Sequence, residues 1–284
     1  MTDIRLLRLR SAGMFSNVNE VVEQLRLSEL HGYKFIIDWS ESCYADPERI
    51  GDPWSYFFEP LFPELEAQVQ NRNLPILARG VEVACTRENI ITPRVHDGDC
   101  NPLLLPKNRS AANLIIERYL SVNSTVAENV NDFCKKNFHT PLIGLHIRGP
   151  GRTDGGVPEL RGKHAPDGTV PMELFFESVD KRLNDSKNTK IFACSDSSVV
   201  IDEVKAKYGD RVITYAAIRS EFGEMHAGHK ENNGQIFDTY KLGLDVLVEA
   251  LLLSRTDHFI HGNSNVANFV LCKCPTLGHT YVLS

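Results

Sequence analysis

The sequence predicts an α/β fold with parallel, doubly wound sheets. Residues 4–38 read as strand, turn, helix and strand, and residues 142–271 alternate strand-like with helix-like segments four times over. The length of 284 residues adds a third observation, since it corresponds to roughly two domains at about 150 residues each. Strands joined through single helices run parallel, because each helix returns the chain across the face of the sheet.

Residues 4–9 alternate apolar side chains with arginines, a glycine-containing turn S-A-G-M-F-S follows, and residues 18–30 carry apolar positions at helical spacing. The run K-F-I-I-D at 34–38 has the continuous apolar character of a buried parallel strand. From 39 to 63 the chain is aromatic and proline-rich, too long for a simple connection. Prolines punctuate 71–106, where short strands are expected at 76–78 and 81–85. Residues 110–137 read as one long helix or two shorter ones, with a domain junction near 122–125, which divides the chain into 1–122 and 123–284. The second part then predicts strands at 142–147, 190–194, 211–215 and 258–261, and helices at 172–183, 198–208, 235–253 and 266–271.

A hydrophobic content of 42% and a charged content of 24% describe an ordinary globular protein. No run approaches the roughly 20 apolar residues that span a bilayer, and the N-terminus lacks the apolar core of a signal peptide. A cytoplasmic chain without membrane insertion is expected. The net charge of -6 supplies no general attraction to nucleic acid, so any phosphate has to be caught locally. Seven cysteines, an odd number without a C-x-x-C pair, predict free and mostly buried thiols. Cys272 and Cys274 have the wrong spacing for a zinc hook, and His226 and His229 lack a third ligand, so no metal is expected.

In an open parallel sheet, ligands bind beyond the carboxyl ends of the strands. Those ends are polar here: His146 and Arg148 with four glycines after them, Ser195-Asp196, and Asn263-Ser264-Asn265. Gly13 and Asn17 hold the equivalent place in the first part, ahead of a helix N-terminus suited to an anion. His146 and Arg148 lie two apart on a strand and share a face, where a guanidinium can fork two phosphate oxygens. A structural salt bridge is the alternative for that pair. Ser195 and Asp196 either meet a nucleoside or cap the next helix, and the same choice holds for Asn263, Ser264 and Asn265. Asp245 and Glu249, one helical turn apart, present both carboxylates on one face, either to paired N–H donors such as those of guanine or to solvent.

Four stretches bring a family into view: SAGMFSNVNEVVEQLRLSELHGYKFIIDW, SCYADPERIGDPWSYFFEP, GLHIRGPGR, and IFACSDSS with VEALLLSRTDHFIHGNSN. They resemble, in order, the α1,6-fucosyltransferases, and more closely the bacterial nodulation fucosyltransferase branch. The resemblance implies two Rossmann-like domains facing across a cleft (the GT-B type), with 1–122 on the acceptor side and 123–284 binding the nucleotide sugar. It also implies a GDP-fucose donor, a glycan acceptor, inversion at the sugar carbon and no required metal or other cofactor. Arg148 falls on the family's essential arginine, which would bind the β-phosphate, with His146 its neighbour. Glu249 falls where the family has a guanine-reading aspartate. Asp196 matches the short acidic motif, Ser264 the late serine motif, Tyr44 a donor-contacting aromatic, and Gly13 the first glycine loop. The family's second arginine is Gly149 here, and Gly156 fills the expected position of a general base, which leaves Asp154 and Glu159 as candidates. A transferase for another nucleotide sugar, and a protein that binds nucleotide or glycan without turnover, are the rival expectations.

Overall fold

A computed structural model describes residues 3–66, 76–78, 108–148, 170–184, 188–221, 225 and 236–282. The strand expected at 81–85 lies outside the described residues, as do Gly149, Asp154, Gly156, Glu159, His226 and His229. The chain opens with β1 (Asp3–Arg8), α1 (Met14–His31) and β2 (Tyr33–Asp38), and β3 (Ile76–Ala78) joins the other edge of β1. The three strands run parallel in the order β2-β1-β3. Gly32 ends α1 in the left-handed region at φ 73° and donates its N–H to the Ser28 carbonyl at 2.9 Å, which allows β2 to begin at the next residue.

The helix begins at Met14, four residues before the apolar spacing at Val18 announced it. Its first turn is held by polar contacts that periodicity does not register. Asn17 is fully buried, donates to the carbonyls of Arg10 and Ala12, both at 3.1 Å, and accepts from the Arg10 N–H at 3.1 Å. Farther along, buried Glu23 forks Arg26 at 2.6 and 2.9 Å, and Glu20 pairs with Arg10 at 3.3 Å. A helix enclosed on nearly every side keeps such residues only when they are bonded.

The aromatic stretch after β2 makes a 3-10 turn at Pro53–Tyr56 and a short helix, α2 (Pro63–Glu66). Its large side chains are core. Trp54 stacks on Phe58 at 4.2 Å, and Trp39 meets Tyr44 edge-on at 5.6 Å. Residues 110–137 form two helices, α3 (Arg109–Tyr119) and α4 (Ser124–Asn137). Asn123 caps α4 by accepting from the Val126 N–H at 3.1 Å and ties the start of that helix to the aromatic stretch by donating to the Tyr56 carbonyl at 2.8 Å.

The second sheet contains β4 (Leu142–His146), β5 (Lys190–Cys194), β6 (Val212–Ile213), β7 (His258–His261) and β8 (Gly278–Tyr281). All are parallel in the order β6-β5-β4-β7-β8, so the order reverses between β4 and β7. Their helices are α5 (Met172–Leu183), α6 (Ser198–Tyr208), α7 (Thr239–Leu253) and α8 (Asn265–Lys273). The strand expected at 211–215 is shorter, because a 3-10 turn occupies Gly209–Arg211 and the chain leaves the sheet after Ile213. The helix expected from 235 starts at Thr239, where Asp238 accepts from the Lys241 N–H at 2.8 Å. β8, with the sequence G-H-T-Y, has too little apolar pattern to be anticipated.

One apolar core runs through both halves, joining Leu7 and Phe35 to Leu247 and Phe259. Phe57 stacks on Tyr240 of α7 with rings 5.6 Å apart, and Phe15 of α1 meets Phe269 of α8 at 4.6 Å. The five cysteines among the described residues are free thiols, Cys194 and Cys272 buried and the others half-buried. No described helix is long and apolar enough to cross a membrane.

Candidate functional site

A cavity of about 330 Å³ opens where the carboxyl ends of the two sheets meet. The first half contributes Arg10, residues 12–16 at the start of α1, and Tyr44; the second contributes the ends of β4 and β5, one face of α7 and the start of α8. The sequence folds this way because β4 and β7 flank the point where the strand order reverses, which leaves a crevice between their following loops. Residues 12–14 enter α1 on the opposite side. The N-termini of α1 and α8 therefore both border the cavity, and helix N-termini favour anions.

Nine residues singled out from the sequence line this one space: Gly13, Tyr44, His146, Arg148, Ser195, Asp196, Asp245, Glu249 and Asn265. Three others stand differently. Asn17 is consumed in bonding the turn before α1, Asn263 is half-buried outside the cavity wall, and Ser264 sits behind His146. Asp154 and Glu159 lie outside the described residues.

The capping alternatives resolve by geometry. Ser197, not Ser195 or Asp196, caps α6 by accepting from the Val200 N–H at 3.4 Å, and Asp196 lines the cavity. Ser195 supports that corner by accepting from the Ser197 N–H at 3.1 Å. Ser264 caps α8 by accepting from the Ala267 N–H at 3.0 Å, and its hydroxyl lies 3.5 Å from Nδ1 of His146. The His146 imidazole is pushed down to about 4, mainly by burial, with Asp196 opposing the shift and Arg148 adding to it. It is therefore a neutral group at physiological pH, able to donate from one nitrogen and accept at the other.

Tyr44 is spent on structure. Its hydroxyl accepts from the Met14 N–H at 2.9 Å, which pins the first turn of α1, and burial pushes its phenol upward. Asp245 is likewise engaged: both carboxylate oxygens take Lys241 at 2.7 Å, and Oδ2 also accepts from the Ile218 N–H at 2.8 Å. Glu249 is buried and accepts from Nη2 of Arg219 at 2.6 Å. Burial lifts its carboxyl to about 7 against the pull of Arg219, with Asp245 and Asp196 adding to the lift.

Arg10, Lys241 and Arg219 were not anticipated from the sequence. A signal existed for the last: a carboxylate flanked by Leu242, Leu247 and Leu251 on one helix requires a cation nearby. Nothing in the linear order says that the cation comes from position 219. Among the described residues no group of three or more His, Cys, Asp or Glu is placed to hold a metal ion.

No model of a known protein family matches the chain. The chain is 23% identical to nodulation protein Z of Bradyrhizobium diazoefficiens over 271 aligned positions, which span 83% of this chain and 69% of that protein. Its fold is similar to that of NodZ α1,6-fucosyltransferase soaked with GDP-fucose, with a TM-score of 0.56, 15% identity, and 97% of this chain and 94% of that chain covered. It is also similar to POFUT1 in complex with GDP-fucose, with a TM-score of 0.58, 12% identity, and 99% and 98% covered. The expected fold class is thus the observed one, and the resemblance read from the four stretches is matched by a relative of that kind.

Proposed function

We propose that the chain is an inverting glycosyltransferase that transfers fucose from GDP-fucose to a glycan hydroxyl. The observation that supports this most directly is the assembly of Arg148, His146, Asp196 and Glu249 in one cavity, at the reversal of strand order, bordered by two helix N-termini. The similarity to nodulation protein Z supports the same reading. In this scheme the second half, 123–284, holds the nucleotide and the first half, 1–122, faces the acceptor.

The diphosphate lies against Arg148 and the starts of α1 and α8. As the bond from the sugar carbon to the β-phosphate oxygen breaks, negative charge grows on the departing GDP. A fixed guanidinium and helix dipoles stabilise that charge more than they stabilise the bound donor, which is the condition for catalysis. The acceptor hydroxyl attacks the sugar carbon from the opposite face, and a carboxylate takes its proton. Asp154 and Glu159, which follow Arg148 in the chain, remain the candidates for that base. Glu249 accepts from the paired N–H donors of the guanine edge. Asp245 acts indirectly, by holding Ile218 on the cavity wall and Lys241 beside it.

A transferase for another nucleotide sugar is the second reading, favoured by the engagement of one Glu249 oxygen with Arg219. Thermal denaturation against GDP, GDP-fucose, GDP-mannose, UDP, CMP and ADP separates the two. A ligand at 100 times its dissociation constant adds about 2.7 kcal/mol of stability, and the expected shift is confined to GDP and GDP-fucose. Stabilisation by a different nucleotide replaces the donor. Free GDP released only when an acceptor glycan is present marks turnover; binding without release marks a non-catalytic binding protein.

A further inference from the structure

The segment 215–220 leaves β6, lays Ala217 and Ile218 on the cavity wall and leads towards α7. It is bolted from both sides. Asp245 accepts from the Ile218 N–H at 2.8 Å, Lys241 donates to the Ala216 carbonyl at 3.2 Å, and the Ser220 N–H donates to the Asp196 carbonyl at 2.9 Å. Arg219 closes the arrangement. It donates to the Tyr215 carbonyl at 3.2 Å, to the Ser195 carbonyl, and to Oε1 of Glu249 at 2.6 Å. The Arg219 and Glu249 side chains are only 9% and 11% exposed. Glu249 lines the cavity and Arg219 does not, so the carboxylate stands between the guanidinium and the ligand space.

We propose that Arg219 is a positioning residue for nucleotide recognition: it acts through Glu249, keeping that carboxylate ionised and aimed at the cavity. The proposal rests on the nucleotide-sugar reading above. Its physical basis is the company that Glu249 keeps. Asp245 from its own helix and Asp196 from the end of β5 both oppose its ionisation, Cys194 of β5 and Tyr215 of the segment also face it, and burial opposes it most. Arg219 is the cation that counters them. An ionised carboxylate accepts two N–H donors from a base edge, whereas the protonated acid turns one oxygen into a donor and loses the match. With its carboxyl lifted to about 7 even beside Arg219, Glu249 has little margin.

The test is GDP affinity as a function of pH, from about 5.5 to 9, on the whole chain. Glu249→Gln supplies the baseline that contains the titration of the GDP phosphates. Relative to that baseline, wild-type affinity is expected to fall about tenfold per pH unit below a midpoint near 7. Arg219→Gln keeps an N–H donor but removes the charge. Its midpoint is expected at least one pH unit higher, with about tenfold weaker binding at neutral pH that recovers in alkali. Arg219→Lys is expected to restore the wild-type midpoint. Equal loss at every pH in Arg219→Gln, with an unmoved midpoint, overturns the proposal and leaves the donor reading intact. A wild-type profile parallel to that of Glu249→Gln overturns it without any Arg219 variant needing to fold. Failure of the wild-type chain to bind GDP at any pH removes the donor reading and this proposal together.

Discussion

Arg148 stands two residues beyond His146 at the end of β4, and the chemistry asked of it is specific to a guanidinium. Arg148→Ala is expected to lower kcat with GDP-fucose by about 100-fold or more while the circular dichroism spectrum and Tm stay near wild type, since a lost charge-stabilising donor costs on this order. Arg148→Lys is expected to fail nearly as badly, because an ammonium cannot reproduce two parallel N–H bonds. Near-normal turnover in either variant would contradict the assigned role. Much of the candidate site was visible at this scale: β4 ends at His146, so Arg148 lies beyond the strand that was expected to carry it, yet both residues line the cavity, and the polar ends of β5 and β7 border the same space. What single residues did not reveal was occupation. Tyr44, Asp245 and Asn17 have the right chemistry for a ligand, yet each is already bonded within the protein.

Elements meet through close contacts that no propensity records. Gly243 lies within α7, where alanine would ordinarily add about 1 kcal/mol of helix stability. A Cβ at Gly243 runs into the ring of Phe57. That ring is fully buried between Tyr240, stacked at 5.6 Å, and Tyr44, edge-on at 6.4 Å, so it has nowhere to go. Gly243→Ala is therefore expected to destabilise by about 1–2 kcal/mol net, since overpacking typically costs 1–3 kcal/mol. Urea unfolding measures this, and a gain in stability would show that α7 shifts freely. Periodicity found nearly every long element, with errors at the ends. α1 starts early because Asn17, Asn19 and Glu20 are tolerated through tertiary partners, and β8 exists because the edge of β7 offers it a backbone to pair with.

Taken whole, the molecule buries imidazoles that must stay neutral. His261 is 5% exposed, its Nδ1 donates to the Gly262 carbonyl at 2.8 Å, and burial pushes its pKa down to about 3. His146 is pushed to about 4 and Glu249 up to about 7. The signs differ. Between about pH 6.5 and 4.5 the unfolded chain binds two protons on these imidazoles that the folded chain refuses, whereas the folded chain holds one on Glu249 that the unfolded chain releases. The difference is one proton, so these groups make stability fall by about 1.4 kcal/mol per pH unit on acidification through that window. Below about pH 4.5 the unfolded glutamate also protonates and its offset ends, but His146 begins to protonate in the folded protein as well, so the slope stays near that value. Replacing His261 with Gln removes one imidazole and is expected to flatten its share of the dependence above pH 4.5, read from Tm against pH. An unchanged slope would mean that His261 is protonated in the folded protein.

The sequence by itself determined the class of fold and pointed to the polar strand ends that line one cavity. Apolar periodicity fixes which segments are strands and helices, and in a parallel sheet the loops after the strands are where polar residues can gather. Only the tertiary structure decided which of those residues face the cavity and which are spent on the protein. That outcome depends on partners far away in the chain, such as Arg219 for Glu249 and Met14 for Tyr44. A buried polar group takes whichever partner satisfies it at the lowest desolvation cost, and packing rather than linear order brings that partner within reach.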